Sequence, residues 1–259
     1  MWRTSNRNLP ALLLLGMLVV LDVLMIVVDA VLHTGLGVAG PVWSVTQDGG
    51  YAEFLQYAKF AWCGLLLVVL ARTGRTKALL LWVPFIAYLA LDDVLQIHEN
   101  VGAWLAEVLQ IPHFGLRSYH IGELLVAVAA IAVGLGLVLI GCFFSRPVVR
   151  GIFIDILLLV GLMAFFAVGV DAVHSLLGAF APIEMVLGLV EDGGEMLALS
   201  LLVAYLFHTA LGHQSPRMLQ RVRARIPGIR RLDLGAGHPL TPAEAERGSG
   251  SSLRTRTDG

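Results

Sequence analysis

The chain has 259 residues, of which 57% are hydrophobic and only 14% charged, with a mean hydropathy of +0.80. That balance excludes an ordinary soluble domain and points to an all-α, multi-pass membrane protein. A net charge of −1, and two cysteines (Cys63 and Cys142) that both lie in apolar runs, exclude a basic nucleic-acid-binding body and a disulfide framework.

A hydrocarbon core about 30 Å thick takes about 20 helical residues to cross. Six segments meet that length, at roughly 10–33, 52–71, 77–98, 119–143, 151–176 and 184–208. The first, with its apolar run Ala11 to Leu32, exceeds the hydrophobic stretch of a signal peptide and reads as a retained helix. Between the first two segments, Gly35, Gly37, Gly40, Pro41, Gly49 and Gly50 mark turns. Between the third and fourth, Val101 to Leu109 is apolar enough for a short interfacial helix, stopped by Pro112.

Lys and Arg set the orientation. Arg3 and Arg7 precede the first segment, Arg72, Arg75 and Lys77 separate the second from the third, and Arg146 and Arg150 separate the fourth from the fifth. The alternate loops, 34–51, 99–118 and 177–183, hold one basic residue between them, Arg117. Both termini are therefore expected on the cytoplasmic side, of a bacterial inner membrane. Residues 1–212 form the expected six-helix transmembrane domain. Residues 213–259 form a tail, basic at first and then rich in Gly, Ser, Thr and Pro, whose composition predicts disorder.

Ionisable residues inside apolar runs are expensive, roughly 2.5–3.5 kcal/mol each on insertion scales, so they pair, bind or titrate. The first helix carries Asp22 and Asp29, and the second carries Lys59, placed to snorkel outward or to meet a carboxylate. The third ends in Asp92, Asp93, Gln96, His98 and Glu99. On an unbroken helix Asp92, Gln96 and Glu99 share one face. The fourth opens with Tyr119, His120 and Glu123, the fifth closes with Asp171, His174 and Ser175, and the sixth carries Glu184, Glu191, Asp192 and Glu195. Applied to the orientation above, these clusters all fall in the outer half of the membrane. Asp155 is the main exception. One shared polar site is the economical reading.

Buried carboxylates at close range raise one another's pKa, and a cation relieves that repulsion. Asp92, Glu99, His120, Glu123, Asp171, His174, Glu191 and Glu195 are accordingly the expected ligands of one or two divalent metal ions, iron, manganese or zinc. Asp22, Asp29, Asp93, Gln96, His98, Tyr119, Ser175 and Asp192 are expected around them. The logic resembles the di-iron carboxylate bundles, although the Glu-x-x-His motif of that class is absent. His174-Ser175 is similar to the ligand residues of ceramidase-like membrane hydrolases. Their late His-x-x-x-His pair is missing here, so none of that family's residues is carried over. Acids at the end of the third helix followed by an acidic last helix also resemble bacterial membrane proteins, a likeness that supplies no function.

The functional expectation is a metal-dependent membrane enzyme, of hydrolase or oxidase type, acting on a lipid or apolar substrate. The alternative is a proton- or cation-coupled transporter using the same acids. A haem site on His120 and His174 fits poorly among so many acids. The partner expected is the lipid bilayer. Nothing points to nucleic acid, and the sequence names no protein partner.

Overall fold

The computed structural model describes residues 8–33, 41–47, 49–73, 77–112, 118–173 and 181–211. His174, Ser175, the Glu184 side chain and the tail from residue 213 lie outside the described residues. Within them the secondary structure is helical, with no strand. The helices are α1 (Leu9–His33), α2 (Tyr51–Thr73), α3 (Trp82–Leu95), α4 (Ile97–Val108), α5 (Ser118–Phe143), α6 (Pro147–Ala164) and α7 (Ala181–Ala210). A 3-10 turn, Lys77–Leu81, leads into α3, and a π-helical stretch, Phe165–Val170, prolongs α6.

Among the described residues, five helices are long and apolar enough to cross a membrane: Leu9–Val31, Tyr51–Thr73, Lys77–Leu95, Ser118–Phe143 and Pro147–Val173. The described residues thus show five such helices where six were expected. The helix expected at 184–208 is present as α7, which carries Glu191, Asp192 and Glu195 in its first half. Packing makes up for that polarity. Contacts from α1, α2, α6 and the π-helical stretch cover α7, and Met196, Leu199, Leu202 and Leu206 are fully buried. The outer helices instead show large apolar side chains to their surroundings, among them Met17, Val20 and Val133. Apolar outside and polar groups inside is the arrangement lipid favours.

The third expected span, 77–98, also needs correction. It breaks at Gln96, which adopts left-handed backbone angles (φ 49°, ψ 46°), and α4 begins directly after it. A non-glycine residue rarely sits there, so the break is held from outside. The Asn100 side chain donates to the carbonyls of Leu95 and Gln96 (3.1 and 2.8 Å). The Asp92 carboxylate accepts from the His98 backbone N–H (2.9 Å), satisfying one of the donors that open α4.

Three contacts place α3 and α4 against α5. Any Cβ added at Gly141 would meet Leu81, at Gly134 it would strike the Phe85 ring, and at Gly122 the backbone of Gly102. The partners rise in number along one chain and fall along the other, so α3–α4 and α5 run antiparallel. Of these three contacts, the one at Gly102 and Gly122 is backbone on backbone, and the absence of Cβ atoms there lets α4 lie directly on α5.

Candidate functional site

Between α3, α5 and α6 lies a cavity of about 420 Å³. Most of its wall is aliphatic or aromatic, from Phe85 and Val138 to Met163 and Val168, while Asp92, His98, Glu123 and Asp171 supply carboxylate and imidazole groups. Tyr88 adds a hydroxyl. A cavity of this size falls in the range of small-molecule sites, about 300–1,000 Å³, where an apolar wall with a few polar groups is the usual make-up.

Each polar group is positioned by local structure. Because the helix breaks at Gln96, His98 turns back onto Asp92, and its Nδ1 lies 3.0 Å from Asp92 Oδ2. The expectation that Asp92, Gln96 and Glu99 share one helical face fails for the same reason. His98 lies beyond the end of the membrane-length segment at Leu95, and its pKa is raised. The hydrogen bond that the ring donates to Asp92 is the largest cause, partial burial opposes it, and the charges of Asp92, Glu99 and Glu123 add to it. On α5, His120 Nδ1 lies 3.0 Å from Glu123 Oε2, the i, i+3 pair read from the sequence, and the Tyr119 ring leans on His120 at 4.1 Å between centroids. The close Gly102–Gly122 crossing carries α4's His98 to the same cavity as Glu123.

A second acidic group surrounds Glu195 on α7. Asp192, Asp93, Glu191 and Asp171 all stand near enough to act on its charge. Adjacent aspartates therefore part company: Asp92 faces the cavity, and Asp93 stands within reach of Glu195. Asp171 belongs to both surroundings. Gly193 and Gly194 make room beside Glu195, since added Cβ atoms would meet Ile26 of α1 and the Phe166 ring of the π-helical stretch.

Asp22 takes no part in the cavity. It is completely buried and accepts from Lys59 Nζ at 2.5 Å and from Ser200 Oγ at 2.6 Å. The same Lys59 ammonium donates to the Met196 carbonyl at 3.1 Å. Lys59 thus meets a carboxylate rather than snorkelling. Asp29 is also fully buried in α1. Sequence reasoning missed the pairing of Asp155 with Tyr205, whose hydroxyl donates to Oδ2 at 2.9 Å. A tyrosine inside the apolar run of the sixth segment, and an acid near the start of the fifth, were the available signal.

As for metal, among the described residues no group of three or more His, Cys, Asp or Glu side chains stands close enough to hold an ion. Asp92 and Glu123 are each engaged by an imidazole instead. His174 lies outside the described residues, so that part of the expected ligand set has no geometry here.

Five spanning-length apolar helices among the described residues, packed around buried charges, are consistent with a multi-pass membrane protein. The chain belongs to the family described as "Domain of unknown function (DUF8692)", which matches residues 11–209. No curated protein and no solved structure matches it.

Proposed function

We propose that the protein is a membrane-embedded enzyme that acts on a lipid or other apolar-tailed substrate held in the cavity between α3, α5 and α6. The observation that carries this reading is the cavity itself: an apolar body of amphiphile size joined to Asp92, His98, Glu123 and Asp171. Four such groups favour a hydroxylated or cationic head over an anionic one. Asp92 fixes the His98 ring through Nδ1, which leaves Nε2 to take or give a proton, and His120–Glu123 is a second pair of the same kind.

Iron, manganese or zinc is the proposed cofactor, with Asp92, Glu123 and Asp171, which line one cavity, and His174 as its proposed donors. When bound, such an ion would lower the pKa of a water molecule or activate oxygen. The described rotamers do not form that ligand set, so no catalytic step is assigned to the ion. The proposed topology has α7 as a sixth spanning helix and both termini on the cytoplasmic side of a bacterial inner membrane, supported by the Lys and Arg bias of the loops.

Metal analysis of protein purified without chelator tests the cofactor. Stoichiometric iron, manganese or zinc that falls in Glu123→Gln and Asp171→Asn but not in Asp155→Asn is expected, and metal-free protein with lipid turnover intact would remove the ion from the proposal. A second reading, a proton- or cation-coupled carrier, draws on the acids near Glu195, namely Asp192, Asp93, Glu191 and Asp171. Substrate-driven proton uptake into vesicles, without chemical change of the substrate, would favour it.

A further inference from the structure

The cavity has a neighbour. A groove of about 540 Å³ runs along the other side of the seam between α3 and α5, lined by Val101, Leu105, Leu125, Ala129, Val133 and others, with almost no polar surface. Phe85, Tyr88 and Ala130 line both the groove and the cavity. The Phe85 ring rests against Gly134, where a Cβ would collide with it.

We propose that the groove is the lateral entrance to the cavity, and that its occupant is one acyl chain of a bilayer lipid, passing between α3 and α5 over Phe85 and Tyr88 while the head group stays at the acidic end. This deepens the enzyme reading and rests on it. Three observations select this occupant. The groove lies mainly on α3 and α5, two of the membrane-length helices, so lipid is what surrounds it. It shares Phe85, Tyr88 and Ala130 with the cavity lining, so the two spaces adjoin at these residues. Its apolar wall offers nothing to a polar ligand or a charged peptide, whereas burying methylene groups is favourable by about 0.8 kcal/mol each. Gly134 sets the width of the passage, because any larger residue there would force Phe85 to move.

Trp82 supplies the readout. It is fully buried and lines the cavity but not the groove. With Trp2, Trp43, Trp62 and Trp104 changed to Phe, Trp82 is the only tryptophan of the five that remains. The single-Trp protein is placed in nanodiscs of phosphatidylcholine with brominated acyl chains, which quench tryptophan on contact, and compared with unbrominated discs. Strong quenching of Trp82 is expected. Ala129→Phe or Val101→Phe, which fill the groove from its two sides without touching the cavity lining, should each remove most of that quenching. Leu139→Phe, exposed and outside both linings, should leave it unchanged. Quenching that survives both groove variants would overturn the entrance while leaving the lipid cavity intact. Trp82 left unquenched in the single-Trp parent would overturn the entrance and the lipid-holding cavity together. Equal melting temperatures across the variants confirm that the folded protein is being read.

Discussion

Two polar regions of this molecule use similar residues to opposite ends. Around Lys59, Asp22 and Ser200 every named side chain is completely buried, and the ammonium is shared between a carboxylate and the Met196 carbonyl. Around His98, Asp92 and Glu123 the side chains are partly open, 37% of the surface for His98 and 19% for Asp92, and they border a cavity. The closed cluster ties α1, α2 and α7 together and leaves no room for a ligand. The open one leaves groups that can meet a ligand or exchange protons. Accessible space, rather than the number of charged residues, separates a structural ion pair from a site.

The largest effect is expected in the closed region. Lys59→Met leaves the Asp22 carboxylate buried without its cation, and losses of about 3–5 kcal/mol are typical of such breaks. Unfolding in detergent should show it. Asp22→Asn combined with Lys59→Met should recover most of the loss, because the uncompensated charge is gone. A double variant as unstable as Lys59→Met alone would mean that the pair acts through something other than charge.

The crossing that links fold to site comes next. Gly102→Ala or Gly122→Ala sets a methyl group against backbone, and overpacking of this kind costs about 1–3 kcal/mol. Either variant should also disturb His98, since α4 is held to α5 there. Gly161→Ala, whose Cβ would meet nothing, is the matched control. Equal melting temperatures for all three would contradict the close approach.

A milder loss is expected at the second buried pair. Tyr205→Phe removes the donor to Asp155 and should cost about 1–3 kcal/mol, with no change in lipid binding, because neither residue lines the cavity. Altered lipid binding would join the two regions that the comparison separates.

The smallest effect is a titration. The His98 pKa lies above its ordinary value, so the protonated ring is favoured in the folded state, chiefly through Asp92. The stability gained is fully present below the ordinary histidine pKa and is lost as pH rises through the raised value. Asp92→Asn should lower the His98 midpoint seen by NMR and flatten the pH dependence of the melting temperature across that window. An unchanged midpoint would mean that Asp92 only caps α4.

Several site features were legible in the chain itself. Hydropathy placed the apolar segments within a few residues, and the i, i+3 spacing of His120 and Glu123 was enough to pair them. The break at Gln96 was not legible, because Leu91 to Asn100 reads as good helix and only Asp92 and Asn100, acting together in space, hold the left-handed turn. Nor could spacing show that Asp92 and Asp93 would serve different surroundings.

By itself, the sequence determined that apolar helices of spanning length would form, since that follows from local composition. Tertiary structure alone decided which acid meets which partner. Lys59 reaches Asp22 from 37 positions away and Ser200 from 178, contacts between helices that no periodicity encodes. It also decided where space was left unfilled: α3 and α5 hold a cavity between them, while α7 is packed tightly by its neighbours. Cavities depend on how side chains from separate helices fit together, and that fit is set only when the helices pack.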